Sequence, residues 1–289
     1  MNEIFYAKRP SLEFGDYLRS IYPDYFSQRE DIKEITFQVT ENCCLNCSYC
    51  YQVHSTKNEM TFDKVKPWLE KLLSDQIPDI STKNTKAIIW SFIGGEPFLK
   101  IDLITEITDF IYNTMVQLNH PWLYYSRINF SSNGILYFEE KVQKYLTKYS
   151  NLIHLGISLD GNKELHDKCR VDLEGKGSYD RVIAAVHHYR DHFNQMPGIK
   201  MTFASENLPY LAESYKYIIS EGYTDLWGNC VFENVWKPGD STILYYQLKE
   251  LADYIIDNNL YREIYVSFFE EESFCPLDVN DNENWCGGI

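Results

Sequence analysis

The stretch Lys86-Ala87-Ile88-Ile89-Trp90-Ser91-Phe92-Ile93-Gly94-Gly95-Glu96-Pro97 carries the decision about fold. Its first seven residues are rich in β-branched and aromatic side chains and stop at a Gly-Gly turn, which reads as a strand over Lys86–Phe92. Helical spacing then begins at Leu103 and runs to Leu118. The same alternation extends in both directions. Strands read at Glu34–Val39, Arg127–Ser131, His154–Leu159, Lys200–Phe203 and Leu226–Phe232, and helices at Thr61–Ser74, Phe138–Lys148, Tyr179–Phe193, Leu208–Gly222 and Thr242–Asn259. Thr61 and Ser178 sit where a hydroxyl accepts an orphan backbone N–H at a helix start. A βαβα rhythm of six strands implies an α/β fold, a partial (β/α)6 parallel barrel with right-handed crossovers.

Three segments follow from this pattern. Residues 1–32 form an N-terminal extension whose Phe5, Tyr6, Phe14, Tyr17, Tyr22, Tyr25 and Phe26 are expected to pack over one end of the barrel. Residues 33–235 form the barrel. Residues 236–289 contribute a helix and then an acidic stretch around Cys275-Pro276 and Asp278–Glu283 that reads as a linker into a further region.

Composition removes several function classes. The 289 residues carry 27 Lys+Arg against 42 Asp+Glu, a net charge of −15, with no basic run to track a phosphate backbone, so nucleic acid is not an expected partner. Apolar runs such as Ala87–Trp90 fall far short of the roughly 20 residues needed to span a bilayer. No apolar h-region opens the chain, which gives the expectation of a cytoplasmic protein with no membrane segment. Reduced cytosolic thiols make the eight cysteines metal ligands or buried thiols in preference to disulfides.

Half of those cysteines lie in Cys43-Cys44-Leu45-Asn46-Cys47-Ser48-Tyr49-Cys50-Tyr51, between the first strand and the first helix. Buried structural thiols would be scattered through strands and helices, so metal ligation is the working reading. The spacing permits two triplets, Cys43/Cys47/Cys50 and Cys44/Cys47/Cys50. Three thiolates suit an iron–sulfur cluster with one iron left open for a small molecule. Cys275-Pro276 is too distant to complete a ferredoxin-type run, whose last spacing is about three residues, and no second cysteine pair stands at zinc-ribbon spacing.

Polar groups gather at the later strand ends: Gly94-Gly95-Glu96-Pro97, Ser131-Ser132-Asn133-Gly134 and Ser158-Leu159-Asp160-Gly161, the last followed by His166-Asp167 and Arg170. Consecutive strand ends face one mouth of a parallel barrel, where such barrels bind ligands. Taken singly, Asn-Gly and Asp-Gly are ordinary turn pairs.

Cys43, Cys47, Tyr49 and Cys50 match the C-x3-C-x2-C motif, with an aromatic before the last cysteine, and the chain here resembles the radical S-adenosylmethionine (SAM) superfamily. The later motifs are similar to those of SPASM-type peptide and protein maturases. The resemblance covers about residues 33–235. It implies a [4Fe-4S] cluster on Cys43, Cys47 and Cys50, with Cys44 the extra thiol. It implies a SAM site at Tyr49, Gly94, Gly95, Glu96, Pro97, Ser131, Ser158 and Arg170. In that family the Gly-Gly-Glu-Pro segment takes the SAM amino group, while the Ser and Arg contact ribose and methionyl carboxylate. An Arg fork suits a carboxylate. A surface ion pair is the other reading of Arg170, and Asp160 and His166 read as turn and packing residues.

The activity so implied is oxidoreductase-like: an external one-electron reductant charges the cluster, SAM is split to methionine and a 5′-deoxyadenosyl radical, and a hydrogen is abstracted from a ribosomally made peptide. No catalytic acid or base is identified. Trp285-Cys286-Gly287-Gly288-Ile289 resembles the opening of a SPASM module, whose further cysteines are absent from the sequence, so either the chain is a piece of a longer protein or it works with one cluster. Three other classes stay open: a radical SAM enzyme for a small metabolite, a non-catalytic iron–sulfur electron carrier and a zinc-stabilised binding protein.

Overall fold

Ile35 and Phe37, Ile88, Trp90 and Phe92, and Ile128 and Phe130 recur at every second position of three successive strands, and all are buried. Period two places them on one face of a sheet. There Phe37 stacks on Phe92 at 5.2 Å and Phe92 on Phe130 at 5.5 Å between ring centroids. Helices cover this face. The computed structural model describes residues 32–52, 59–233 and 235–270. Its strands are β1 (Ile32–Gln38), β2 (Ala87–Ile93), β3 (Ser126–Ser132), β4 (Ile153–Ser158), β5 (Gly198–Phe203), β6 (Asp225–Cys230) and β7 (Tyr265–Val266). They lie in sequence order in one sheet, every neighbouring pair parallel.

The helices are α1 (Phe62–Leu73), α2 (Ile101–Gln117), α3 (Glu140–Lys148), α4 (Lys163–Cys169), α5 (Tyr179–Phe193), α6 (Leu211–Ser220) and α7 (Asp240–Asp257). α1 turns Val65, Leu69, Leu72 and Leu73 inward and α2 turns Ile104, Ile107, Ile111 and Met115 inward, the stripe a helix needs to lie on a sheet. Each fully buried aliphatic or aromatic side chain contributes about 1.5–3 kcal/mol.

The opposite face is polar. Ser91, Asn129, His154, Lys200 and Asp225 line it, joined in part by Asn129 Nδ2 to Ser91 Oγ (3.4 Å), Asn129 Oδ1 to His154 Nδ1 (3.0 Å) and His154 Nε2 to Asp225 Oδ2 (3.0 Å). Burial lowers the Lys200 pKa, opposed by Glu34 and Asp225. In a flat sheet β4 and β6 would stand roughly 9–10 Å apart, two strand spacings. The 3.0 Å contact of His154 on β4 with Asp225 on β6, closed over Gly198 of β5, follows a sheet curled toward its polar lumen, a partial barrel as expected.

Several boundaries differ from expectation. β7, a two-residue strand paired to Asp225 and Leu226, is too short to show a period of two in the sequence. α4 is a short additional helix with no counterpart among those expected. Its start is fixed by Asn162, whose side chain accepts the Leu165 N–H at 3.0 Å. The helix expected from Leu208 opens as a 3-10 turn over Leu208–Tyr210, with Pro209 in its first turn, before α6 begins. Phe138 precedes α3 and is exposed. Neither Thr61 nor Ser178 caps its helix through the side chain; Asp167 Oδ1 accepts the Tyr179 N–H instead, at 2.8 Å. The aromatic N-terminal segment up to residue 31, Cys275 and Cys286 lie outside the described residues.

Candidate functional site

Beyond the end of β1 the chain keeps pairing with the end of β2. Val39 N donates to Ile93 O (3.0 Å), Gly95 N to Thr40 O (2.9 Å) and Glu96 N to Asn42 O (2.8 Å). Gly95 is required by this approach: a Cβ there would meet Asn42 O at 2.2 Å and Glu41 O at 2.7 Å. The bare backbone that the Gly-Gly pair offers is thus spent on the cysteine loop itself. Farther along, the loop is strapped to the end of α4 and the segment after it, with Asn46 N donating to Val171 O (2.8 Å), Ser48 N to Cys169 O (2.9 Å) and Leu45 bridging Asp172. Leu45 is buried and anchors the strap from beneath.

The Gly-Gly-Glu-Pro carboxylate works inside the protein. Glu96 is fully buried and accepts three hydrogen bonds: Phe98 N (3.0 Å) and Ser132 Oγ (2.8 Å) at Oε1, and Asn133 N (2.7 Å) at Oε2. Burial pushes its pKa up to about 7 against those donors. Pro97, also buried, opens the 3-10 turn that Glu96 caps. A ligand contact from this segment would therefore use backbone, and the Gly94 carbonyl already accepts from Gln52 Nε2 (3.2 Å). The Gln52 Oε1 beside it is buried and has no hydrogen-bond partner among the described residues.

At the far side of the loop, Asp160 gathers the pieces. Its Oδ2 accepts from Arg170 Nε (2.8 Å) and from the Tyr49 hydroxyl; its Oδ1 accepts from Arg170 Nη2 (3.2 Å) and Thr202 N (3.1 Å). Both members of the ion pair are nearly solvent-free, with side chains 8% and 1% exposed for Arg170 and Asp160. Arg170 also lies over the Tyr49 ring at 5.3 Å and points Nη1 toward Cys47 Sγ at 4.0 Å. Arg170 is accordingly neither a surface ion pair nor an unengaged fork. Burial opposes its charge, but Asp160, Tyr49 and Cys47 more than compensate. Burial raises the Tyr49 hydroxyl well above its ordinary pKa.

His166 supports the pair from below. Its Nε2 meets Ser178 Oγ at 2.9 Å, Ser178 donates in turn to Arg170 O (2.8 Å), and His166 Nδ1 accepts from Asp160 N (3.3 Å). That network assigns a neutral Nε2–H tautomer. Burial lowers its pKa to about 4.

Cys43, Cys44, Cys47 and Cys50 are thiols on one loop. Asn133 Nδ2 faces the Cys43 and Cys44 sulfurs at 3.4 Å each, and Leu45 N donates to Cys43 Sγ at 3.4 Å. Without metal, contact with Cys44 and then burial hold Cys43 above the ordinary thiol range, and Cys44, accepting from Cys43, is held below it. Burial pushes Cys47 up to about 11, with Arg170 opposing. Bound iron would deprotonate whichever sulfur it took. N–H and guanidinium donors aimed at sulfur are what an anionic iron–sulfur cluster requires of its surroundings, so the residues fit that group. Among the described residues, no three His, Cys, Asp or Glu side chains converge as ligands of one metal ion.

The structure thus brings Tyr49, Arg170 and Cys47 together and sets Cys43 and Cys44 at Asn133, with Glu96 tying Asn133 to the Gly94–Pro97 segment. Ser131 and Ser158 stand half-buried at the ends of β3 and β4, their hydroxyls making no hydrogen bond among the described residues. Asp160, Asn133 and Gln52 are the residues that sequence reasoning did not select for the site. Asp160 and Asn133 each precede the glycine of a turn, Gly161 at φ +118° and Gly134 at φ +77°, and that ordinary explanation hid them.

A parallel α/β barrel with a cysteine loop at the C-terminal ends of its strands defines the class. Residues 37–217 match the family model of the radical SAM superfamily, and the chain belongs to that superfamily. The cysteine-type anaerobic sulfatase-maturating enzyme of Clostridium novyi is 31% identical over 163 residues, covering 54% of this chain and 40% of that protein. Fe-coproporphyrin III synthase of Methanosarcina barkeri is 26% identical over 262 residues, covering 88% of this chain and 56% of the synthase. In architecture the chain is similar to native anSMEcpe with bound AdoMet and Cp18Cys peptide, with a TM-score of 0.65 at 21% identity over 82% of this chain and 63% of that one. The chain spans roughly half the length of the curated relatives it matches. No helix among the described residues is long and apolar enough to cross a membrane.

Proposed function

We propose that this chain is a radical SAM enzyme that binds its cluster through Cys43, Cys47 and Cys50 and modifies a peptide. The observation that carries the reading is the strapped cysteine loop, met by the Asn133 amide and the Arg170 guanidinium at the mouth of a parallel barrel. When bound, the cluster and SAM together supply reductive SAM cleavage and hydrogen abstraction. The protein's residues then have four tasks. Three thiolates hold the iron. The Gly94 carbonyl and the Gln52 Oε1 accept from the SAM ammonium. Arg170 offers the donors not taken by Asp160 to the SAM carboxylate, and Ser131 and Ser158 face its polar groups. Tyr49 and Asp160, with the buried Leu45 under the strap, keep the loop in place.

A peptide is favoured because a sulfatase-maturating enzyme is among the relatives and a peptide-bound structure shares the fold. A second reading, a small-molecule substrate, is favoured by the Fe-coproporphyrin III synthase match, which covers more of this chain. Anaerobic reconstitution tests the common core. Wild type should hold about four irons, and Cys43/Cys47/Cys50→Ala should hold none. A colourless wild type that binds zinc instead would overturn it. A short open reading frame beside the gene, and modification of its product by the reduced enzyme, separate peptide from metabolite.

A further inference from the structure

Asn133 has more donor capacity than its turn uses. Its Oδ1 accepts the Ile135 N–H at 3.0 Å, and Ser132 Oγ accepts the Gly134 N–H at 3.0 Å. These two bonds close the turn and fix the roll of the amide. The main-chain N–H of Asn133 is tied to Glu96 Oε2 at 2.7 Å. Nδ2 is left over, buried in a residue only 6% exposed, and it is directed at two sulfurs at 3.4 Å. A buried amide donor needs a good acceptor. A neutral thiol is a weak one, whereas a thiolate is charged and accepts strongly.

The two sulfurs differ. Cys43 Sγ receives both Asn133 Nδ2 and Leu45 N. Cys44 Sγ receives Nδ2 as its one amide donor and has the Asn133 Oδ1 oxygen facing it at 3.7 Å. From this asymmetry, and resting on the cluster reading above, we infer that Asn133 is the positioning residue that donates to the iron-bound Cys43 thiolate, distinguishes it from Cys44 and raises the cluster's reduction potential. The sign follows from charge. Reduction adds negative charge to the cluster and its sulfurs, and a fixed N–H dipole aimed at sulfur stabilises the reduced form more than the oxidised one. Glu96, through Ser132 and Asn133 N, holds the donor in that orientation.

The experiment is an EPR-monitored redox titration of the reconstituted full chain, with iron counted first. Asn133→Asp keeps an acceptor for Ile135 N but replaces the donor with an anion, and Asn133→Ala removes both without adding charge. At iron content equal to wild type, both midpoints should move to more negative potential, Asn133→Asp further. Midpoints equal to wild type in iron-replete variants would overturn the inference while leaving the cluster reading intact. A wild type without iron would overturn both. The asymmetry is tested separately: Cys44→Ala should keep full iron and Cys43→Ala lose it, and the reverse would assign the donor to Cys44.

Discussion

Removing the Asp160 carboxylate would strand the Arg170 guanidinium, the Tyr49 hydroxyl and the Thr202 N–H at once, all in a region closed to water. Losing one partner of a buried ion pair costs about 3–5 kcal/mol, whereas replacing both with apolar groups can cost far less. Asp160→Ala and Arg170→Ala should each destabilise by that amount in urea unfolding, and Asp160→Leu/Arg170→Met by clearly less than the sum. Additive losses would show that the pair is not coupled. His166 adds a pH signature. The unfolded chain takes up that proton near pH 6.5 and the folded chain only near 4. Its contribution is therefore complete above pH 6.5 and is lost as pH falls toward 4. Glu96, raised to about 7 from 4.5, works in the opposite direction and is removed by taking differences. The destabilisation caused by His166→Gln should accordingly be smaller at pH 5 than at pH 7.5 by about 2 kcal/mol, at ~1.36 kcal/mol per unit. A pH-independent difference would mean that His166 is not buried neutral. The sequence put Tyr49, Asp160 and Arg170 at one mouth but gave no sign that they pair, because an Asp before Gly has a sufficient local explanation and only folding brings Asp160 to Tyr49 and Arg170.

At the scale of elements, the cysteine loop is held from two sides, by the end of β2 and by the end of α4 and the segment after it. Gly95→Ala tests the first side. The new methyl would collide with rigid backbone at Asn42 and Glu41, and backbone cannot swing aside as a flexible side chain can. Iron uptake should fall severalfold while far-ultraviolet circular dichroism keeps the barrel's signal, because the displaced piece is a loop. Normal iron uptake would show that the loop does not depend on this contact. The six longer strands and most helices were readable in the sequence since each carries its own periodicity. The strap was not, because a run such as Arg170-Val171-Asp172 has no period and becomes ordered only against its partner. β7 was missed for the related reason that two residues make no pattern.

Across the whole molecule, the parallel order β1 to β7 puts the cysteine loop, Glu96, Asn133 and Asp160 at one mouth while the polar lumen runs beneath them. The linear order of motifs announced that convergence. The lumen's His154, Lys200 and Asp225 were not legible as a group, because curvature, not sequence spacing, makes neighbours of distant strands. In the proposed function the assembled mouth cleaves SAM. The most direct measurement is 5′-deoxyadenosine release from anaerobically reconstituted, dithionite-reduced chain given SAM alone, with the Cys43/Cys47/Cys50→Ala protein as reference. Wild type should release 5′-deoxyadenosine slowly and the variant none. An iron-replete, reduced wild type that releases none would contradict that function and leave a chain with the family's fold and without its chemistry.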